Sequence, residues 1–270
     1  MIYDCFMFND ELDLLEIRLN HHDFVDRFVI IESTRTYSGI PKPLVFLEAR
    51  QRFEKFLGRI YHIVLDFPFS GNGAWEYEHL QRNMLKGFTF GPDDIVIYSD
   101  CDEILRDRSV IETFQKCEIE IMSLQMDLCF YYLNVRVKQA NNPGATYHLA
   151  PCFKSKWHMG KILMARLIPK FSYLYQIREH QLHDPKIDII PYAGWHFSNL
   201  GSPERIHAKL KAISHCNDPE FCDISREKID QRKRHLHDPL GRGGVTYEKF
   251  ADLPPFILAN RERFNDYFQP

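Results

Sequence analysis

The chain has 270 residues, 44% of them hydrophobic and 26% charged, which is the composition of an ordinary folded protein with a sizeable buried core. A formal net charge of −3 lacks the basic excess typical of nucleic-acid-binding proteins, so we expect no nucleic-acid partner. No apolar run approaches the roughly 20 residues that a membrane-spanning helix needs, and none has the pattern of a signal peptide. We therefore expect a cytoplasmic protein without a membrane span, folded as a single domain over residues 1–270, and the oligomeric state stays open.

Strands and helices alternate in the first half of the chain. Apolar runs rich in β-branched residues predict four strands, and helical spacing of apolar residues predicts the segments between them. The strands are at 2–8, 28–31, 59–65 and 95–97, and the helices are at 12–20, 48–56 and 75–87. Parallel strands joined by helices give this alternation. The predicted fold class is therefore α/β, with a Rossmann-like, mostly parallel central sheet flanked by helices.

A cluster of acids follows the fourth predicted strand directly. Asp100 and Asp102 are two residues apart, so in an extended backbone both side chains point to one face of the chain. Carboxylate oxygens suit Mg²⁺ or Mn²⁺, and these ions keep open positions for a phosphorylated ligand. Ligands of open α/β sheets bind beyond the carboxyl ends of the strands, which is where these acids lie. The alternative is an acidic loop that caps the following helix.

Polar side chains also follow the first two predicted strands. Asn9 comes after the first strand, and Glu32 ends the second. A right-handed crossover between parallel strands places both residues at the same edge of the sheet as Asp100 and Asp102. The recurrence of polar groups at three strand ends favours a nucleotide-type site over a solvated surface.

The pattern changes after a predicted helix at 108–116. Long apolar runs predict strands at 119–126 and 129–137, and shorter strand segments follow near 152–154 and 161–168. A helix over 203–213 has Ser202 as its N-cap, and Pro254-Pro255 begins a last helix that packs back on the body. We expect this half to add a smaller sheet and a helical C-terminal segment to the central sheet.

Several segments, taken together, resemble glycosyltransferase family 17. The N-terminal matches are the segment 8–18, from Phe8 to Arg18, then Val29-Ile30-Ile31-Glu32-Ser33 and Pro41-Lys42-Pro43-Leu44. The later matches are Asp93-Asp94-Ile95 with Asp100-Cys101-Asp102-Glu103-Ile104, then Ala193-Gly194-Trp195-His196 and Arg242-Gly243-Gly244. They occur in family order and span nearly the whole chain. The chain departs from the family pattern at Leu105, where proline is usual, and we expect no membrane anchor.

The resemblance implies a GT-A fold and the inverting transfer of a sugar, most often N-acetylglucosamine, from a UDP-sugar to a saccharide acceptor. It also implies Mn²⁺ or Mg²⁺, with the nucleotide sugar bound by residues 1–117 and the acceptor by residues 118–270. On this basis Asp102 ligates the metal, Asp100 contacts the metal, its bound water or the ribose, and His196 is the third metal ligand. The alternative for His196 is a histidine packed in the core beside Trp195.

The donor-binding roles follow from the same resemblance. Asn9 and Glu32 are expected to hold the uridine, and their alternatives are a helix N-cap and a turn acid. Arg82 and Lys209 are expected to pair with the diphosphate, because fixed cations bind phosphate oxygens strongly. A solvated helix face is the alternative for either cation.

The catalytic base must take the proton of the acceptor hydroxyl. Glu179, Asp184 and Asp188 are available in the segment before His196, where GT-A enzymes tend to carry the base. We favour Glu179, with Glu103 as the fallback. Aromatic residues at strand spacing could stack on sugar faces or pack in the core, and they are Trp157, Trp195, Tyr131 and Tyr132.

Two other classes of protein fit part of the pattern. A Mg²⁺-dependent nucleotidyltransferase or phosphohydrolase also pairs aspartates at a strand end. Such enzymes usually carry a glycine-rich or basic phosphate loop near the first strand, where this chain has Asn9-Asp10-Glu11. A non-catalytic carbohydrate-binding protein would need neither the aspartate pair nor a metal.

Overall fold

The computed structural model describes residues 1–68, 73–140, 156–180, 188–217, 225–238, 241 and 244–270. These residues form an α/β fold around one mixed sheet of eleven described strands. The strands are β1 Ile2–Phe8, β2 Arg27–Ser33, β3 Ile60–Leu65, β4 Ile95–Asp100, β5 Glu103–Leu105, β6 Ile121–Phe130, β7 Val135–Ala140, β8 Lys156–Trp157, β9 Lys161–Met164, β10 Ile189–Ser198 and β11 Val245–Lys249. Eight of them follow the order β11-β7-β6-β9-β4-β1-β2-β3. Of the other three, β10 pairs with β5 and β6, and β8 pairs with β6.

Helices pack around this sheet. The α-helices are α1 Leu12–His21, α2 Val45–Glu48, α3 Ala74–Asn83, α4 Ser109–Lys116, α5 Tyr175–Glu179, α6 Pro203–Ala212, α7 Arg226–Arg234 and α8 Pro255–Ala259. The 3-10 helices are Arg50–Arg59, Met84–Gly87, Ala165–Lys170, Ser214–Asn217 and Asn265–Tyr267. Ser202 caps α6 as predicted, because its hydroxyl accepts the Arg205 N–H at 3.3 Å. Within the described ranges, no helix combines the length and the apolar character that crossing a membrane requires.

The parallel half of the sheet confirms the predicted α/β class. Strands β3, β2, β1 and β4 are neighbours in that order, and every pair among them is parallel. The second half adds antiparallel strands directly to β4, since β9 pairs with it from Ile95↔Met164 to Tyr98↔Lys161. The expected smaller sheet is thus joined to the central one, and the whole sheet is mixed instead of mostly parallel.

Strand β10 connects the two halves next to the acidic loop. It runs parallel to β6 and antiparallel to β5, with Gly194 opposite Leu105 and His196 opposite Glu103. A Cβ at Gly194 would lie 2.0 Å from the Ile104 carbonyl oxygen, so only glycine lets the two backbones approach this closely. The close approach carries His196 to the end of β4.

One apolar core extends through both halves of the chain. It includes Phe6 from β1, Leu15 from α1, Trp195 from β10 and Ile257 from α8, each at most 2% exposed. The last helix therefore packs back on the body, as predicted. The functional division at residue 117 stays a prediction.

Candidate active site

Asp102 lies in the turn between β4 and β5, where two basic side chains meet it. The Lys209 ammonium of α6 donates to Asp102 Oδ2 at 2.8 Å, and His196 Nε2 is 3.4 Å from Oδ1. Asp102 is 5% exposed, and burial alone would raise the pKa of its carboxyl. Lys209 and His196 outweigh burial and hold the pKa of Asp102 well below its usual range. The carboxylate is therefore ionised at neutral pH.

Lys209 is shared between two acids. Its ammonium is also 3.7 Å from Glu11 Oε1, and Glu11 Oε2 accepts the backbone N–H groups of Asn9 and Asp10 at 3.2 Å. Burial opposes the charge on Lys209, but Asp102 and Glu11 raise the pKa of the ammonium above its usual range. The loop after β1 and the loop after β4 are thus tied together by one cation.

Asp100 closes β4 and is held by two arginines. Arg82 Nη1 of α3 lies 2.9 Å from Oδ1, and Arg178 Nη2 of α5 lies 2.9 Å from Oδ2. Burial favours the neutral acid, but Arg178 and then Arg82 lower the pKa of Asp100 below its usual value. Arg82 also pairs with Glu78 one helical turn earlier, at 2.7 Å. The sequence analysis predicted Arg82 here and missed Arg178.

Glu103 is fully buried behind this pair. Its carboxylate accepts the Trp157 indole N–H at 2.6 Å, two Arg178 N–H groups at 2.7 and 3.0 Å, and the Asp100 backbone N–H at 3.1 Å. Both oxygens are therefore occupied by donors within the protein. These contacts disfavour Glu103 as the catalytic base and make it the group that orients Arg178 and Trp157.

A buried ion pair beneath the loop fixes its backbone. Arg18 of α1 forms a two-pronged pair with Asp4 of β1, at 2.9 Å from Nε and 2.5 Å from Nη2. The same guanidinium donates to the carbonyls of Asp100 and Glu103, both at 2.7 Å, and to the Ser99 hydroxyl at 2.6 Å. One side chain thus satisfies several backbone acceptors at the turn that carries the aspartates.

His22 completes this network on the other side of Asp4. Its Nδ1–H donates to Asp4 Oδ2 at 2.7 Å, and its Nε2 accepts the Leu105 backbone N–H at 3.0 Å, so the ring is held in one neutral tautomer. Burial lowers the pKa of His22 to about 4. Burial would raise the pKa of Asp4, but Arg18 and His22 lower it to about 2. Sequence analysis gave Asp4, Arg18 and His22 no role. An arginine between Ile17 and Leu19, in a helix rich in apolar residues, could have indicated a buried charge.

The two residues predicted to contact the uridine, Asn9 and Glu32, lie at the expected edge of the sheet. Glu32 is fully buried, and its carboxylate lies 3.2 Å from the Lys42 ammonium and 3.0 Å from His62 Nε2. The Asn9 carbonyl accepts from the same Lys42 ammonium at 3.0 Å. Asn9 and Glu32 are therefore brought together through Lys42, and their role at the uridine stays a prediction.

The candidate bases are placed differently. Glu179 is exposed at the end of α5, directly after the Arg178 that binds Asp100. Asp188 precedes β10 and is half-buried. Asp184 lies outside the described residues. Glu179 thus follows an arginine whose side chain reaches the acidic loop, and its assignment as the base stays a prediction.

Residues 1–159 match the sequence profile of glycosyltransferase family 17. This match covers more than half of the 270 residues. The chain belongs to glycosyltransferase family 17. The resemblance predicted from its motifs is confirmed, and so is its class as a glycosyltransferase.

Curated relatives extend the similarity of this family 17 chain beyond the profile. In alignments of 296 residues, gaps included, it is 26% identical to the beta-1,4-mannosyl-glycoprotein 4-beta-N-acetylglucosaminyltransferases of Homo sapiens and Rattus norvegicus. These alignments cover 97% of this chain and 55% and 54% of the relatives. The chain thus spans about half the length of the curated relatives that it matches.

Solved structures resemble this family 17 chain more distantly. The S. aureus TarS 1-349 structure has a TM-score of 0.43 and 11% identity, covering 85% of this chain and 68% of that one. The galactosyltransferase LgtC, solved in complex with donor and acceptor sugar analogs, has a TM-score of 0.34 and 15% identity, covering 84% and 83%. Both TM-scores are low, so the fold class is assigned from the strand order of this chain and not from these two structures.

Two side chains of the family 17 site have the arrangement of metal ligands. Neighbouring ligands of Mg²⁺ or Mn²⁺, each about 2.1 Å from the ion, lie roughly 3 Å apart. The Asp102 to His196 separation of 3.4 Å is close to that value. Among residues that the structure describes, His196 Nδ1 has no hydrogen-bond partner, and no three His, Cys, Asp or Glu side chains converge. The separation of Asp102 and His196 is compatible with a shared metal ion, and their role as ligands stays a prediction, whereas the Asp100 carboxylate is directed at its two arginines.

The aromatic candidates divide between the site and the core. Trp157 packs on the His196 ring with centroids 4.2 Å apart, while its indole N–H is bound to Glu103. Trp195 is 2% exposed, and Tyr131 is fully buried. The core alternative is therefore correct for Trp195 and Tyr131.

Proposed function

We propose that this family 17 glycosyltransferase moves N-acetylglucosamine from a UDP-sugar to a hydroxyl of a saccharide, in a metal-dependent reaction that inverts the anomeric centre. The observation that supports it is the meeting of Asp102 at the end of β4 with His196 from β10. The curated relatives are named for transferring N-acetylglucosamine to a β-1,4-mannosyl-glycoprotein. That donor sugar and a mannose-containing acceptor are the first choices for this chain.

Asp102 and His196 would hold Mn²⁺ or Mg²⁺ in this proposal. The ion would neutralise charge on the diphosphate as the nucleotide leaves. His196 presents Nε2 toward Asp102, and its ring is fixed by packing on Trp157. A fixed His196 ring would not need to reorient when the metal ion binds, and this favours tight metal binding.

Three cations of the chain surround the same loop and are suited to bind the diphosphate. Arg82 and Arg178 approach Asp100 from two helices, and Lys209 approaches Asp102 from a third. Each cation is now balanced by carboxylates, so an arriving diphosphate would share these groups with Asp100 and Asp102. Arginine forks match the geometry of phosphate oxygens, whereas the lysine acts as a point charge.

The transfer itself exchanges one C–O bond for another. The acceptor oxygen attacks the anomeric carbon from the face opposite the diphosphate, the bond to the phosphate oxygen breaks, and a carboxylate takes the hydroxyl proton. We propose Glu179 for this role, because it is an exposed acid that follows Arg178 directly. Asp188 is the other described candidate.

The proposal also includes a cytoplasmic location for the protein and a uridine-binding site at Asn9 and Glu32.

The decisive experiment is donor hydrolysis. The protein is incubated with Mn²⁺ and a panel of nucleotide sugars, and free nucleotide is measured for the wild type, Asp102→Ala and Asp93→Ala. Asp93 is the matched control, since its side chain is 89% exposed at the opposite end of β4. UDP release from UDP-N-acetylglucosamine should fall roughly 100-fold or more in Asp102→Ala and stay unchanged in Asp93→Ala.

The same assay separates the other classes. A nucleotidyltransferase would release pyrophosphate from a nucleoside triphosphate and leave nucleotide sugars intact. A carbohydrate-binding protein would release no nucleotide from any donor. Either result, or full turnover by Asp102→Ala at saturating Mn²⁺, would overturn the proposal.

A further inference from the structure

Five ring side chains form a continuous row beside the acidic loop, four of them from three helical segments and the fifth, Tyr173, from the turn before α5. Tyr173 stacks on Tyr175 with centroids 5.9 Å apart, and Tyr175 stacks on His79 at 4.0 Å with an 18° angle between the rings. Trp75 lies 6.3 Å beyond His79 and meets His215 edge-on at 4.4 Å. We call these residues the aromatic row: Tyr173, Tyr175, His79, Trp75 and His215.

The row is connected to the site by the two helices that bind Asp100. On α3, His79 lies three residues before Arg82, and on α5, Tyr175 lies three residues before Arg178. Residues three apart are neighbours on a helix surface and about 4.5 Å apart along its axis. Both arginines reach Asp100 at 2.9 Å. The stacked pair His79–Tyr175 is therefore one helical turn from the side chains that hold the acidic loop.

The position of α3 places the row beyond the sheet edge. Helix α3 follows β3, and Gln81 in its last turn donates to the Ile31 carbonyl within β2 at 2.7 Å, whereas the Tyr77 hydroxyl one turn earlier lies 3.1 Å from the Ser33 hydroxyl at the end of β2. Its earlier turns, with Trp75 and His79, therefore extend past the carboxyl ends of the strands. That is the side on which ligands of open α/β sheets bind.

Exposure distinguishes this row from a core cluster. Trp75 is 41% exposed and Tyr173 is 52% exposed, while His79 and Tyr175 between them are half-buried. Two exposed acids flank the rings, Glu76 and Glu179, and both act electrostatically on His79. Ring faces suit the apolar C–H face of a sugar, and carboxylates accept hydrogen bonds from its hydroxyls. The acids also repel phosphate-rich partners.

We propose that the aromatic row binds the saccharide acceptor, with sugar rings packed on the exposed rings of Trp75 and Tyr173, while His79 and Tyr175, stacked on each other between them, hold these two rings in place. The inference rests on the proposed function, which supplies the donor at Asp100 and Asp102. It explains how an acceptor hydroxyl is brought to the donor by the same helices that carry Arg82 and Arg178. Glu179, the residue after Arg178, also acts electrostatically on His79 of the row.

The test compares sugar binding with donor hydrolysis in the full chain. Saturation-transfer NMR and titration with mannotriose and with chitotriose are carried out on the wild type, Trp75→Ala, Tyr173→Ala and Tyr61→Ala. Tyr61 is the matched control, a 46% exposed tyrosine at the opposite end of β3. Folding is checked by circular dichroism, and Tyr173→Phe, which keeps the ring face, is expected to restore binding.

We expect at least one sugar to bind the wild type, with roughly 3- to 10-fold weaker binding for each lost ring. UDP release from the donor should stay unchanged in Tyr61→Ala, whose side chain lies outside the aromatic row. Equal binding by Trp75→Ala, Tyr173→Ala and the wild type would overturn the inference, as would the absence of binding of both sugars to the wild type. Ring-dependent sugar binding without donor hydrolysis by the wild type would instead overturn the proposed function and retain the binding surface.

Discussion

The stability of this protein should fall at mildly acidic pH because of one buried histidine. His22 is fully buried between Asp4 and the Leu105 N–H, and its pKa is lowered from 6.5 to about 4. As the pH falls below 6.5, the unfolded chain binds a proton at this imidazole, while the folded protein does not until about pH 4. Stability is therefore complete above pH 6.5 and is lost progressively as the pH falls toward 4.

The magnitude follows from the two pKa values. Between pH 7 and pH 5, the proton taken up by the unfolded chain at His22 removes about 2 kcal/mol from the free energy of unfolding. His158, whose pKa is lowered to about 3, contributes in the same direction and is present in every variant compared. The difference between wild type and a His22 variant isolates the His22 contribution.

The assay is urea unfolding followed by tryptophan fluorescence at pH 7 and at pH 5. The wild type should lose about 2 kcal/mol more than His22→Gln between the two pH values. His235→Gln is the control, because His235 is exposed on the surface, and it should lose as much as the wild type. An equal loss in the wild type and His22→Gln would refute the reasoning.

Three further predictions concern the site. UDP should raise the melting temperature when Mn²⁺ is present and not in EDTA, because a ligand that binds only the folded protein stabilises it. An equal shift in EDTA would mean that the nucleotide binds without a metal. His196→Ala should weaken Mn²⁺ binding, measured by calorimetry, by roughly 10- to 100-fold and should cost the metal-free protein little stability. His196→Asp should recover part of the Mn²⁺ affinity, because it keeps a ligand atom, and His196→Leu should not. A large loss of apo stability with unchanged Mn²⁺ affinity would make His196 a packing residue. Arg18→Met should cost about 3–5 kcal/mol in urea unfolding, because it leaves Asp4 buried and short of its main partner. The same change at Arg108, which is 68% exposed, should cost little, and equal costs would contradict the role assigned to Arg18.

The parallel half of the fold could be predicted from the sequence. Short apolar runs located β1 to β4, and the rule that parallel strands end at one edge placed Asn9, Glu32, Asp100 and Asp102 together. These strands are local features, and each is recognisable from a few neighbouring residues. The meeting of Asp102 with His196 came from the family resemblance, because no local pattern relates residues so far apart.

The buried charges could not be predicted in the same way. Arg18 contacts the hydroxyl and carbonyl groups of residues 81 to 85 positions later in the chain, and Arg178 contacts Asp100 and Glu103 from 75 to 78 positions away. A charged residue in a helical pattern is normally assigned to the solvent face. Only the packed structure shows that these arginines have enough acceptors to be buried.

The position of β10 has a consequence for shortened versions of the chain. The family profile ends at residue 159, yet β5 takes its described strand pairing from β10, at residues 189–198. A fragment that stopped at residue 159 would leave the β5 backbone without that ladder and the core without Trp195 and Phe197. An unpaired strand edge next to exposed apolar core residues favours aggregation. The profile boundary therefore does not mark an autonomous folding unit, and expression of residues 1–159 alone should give insoluble protein.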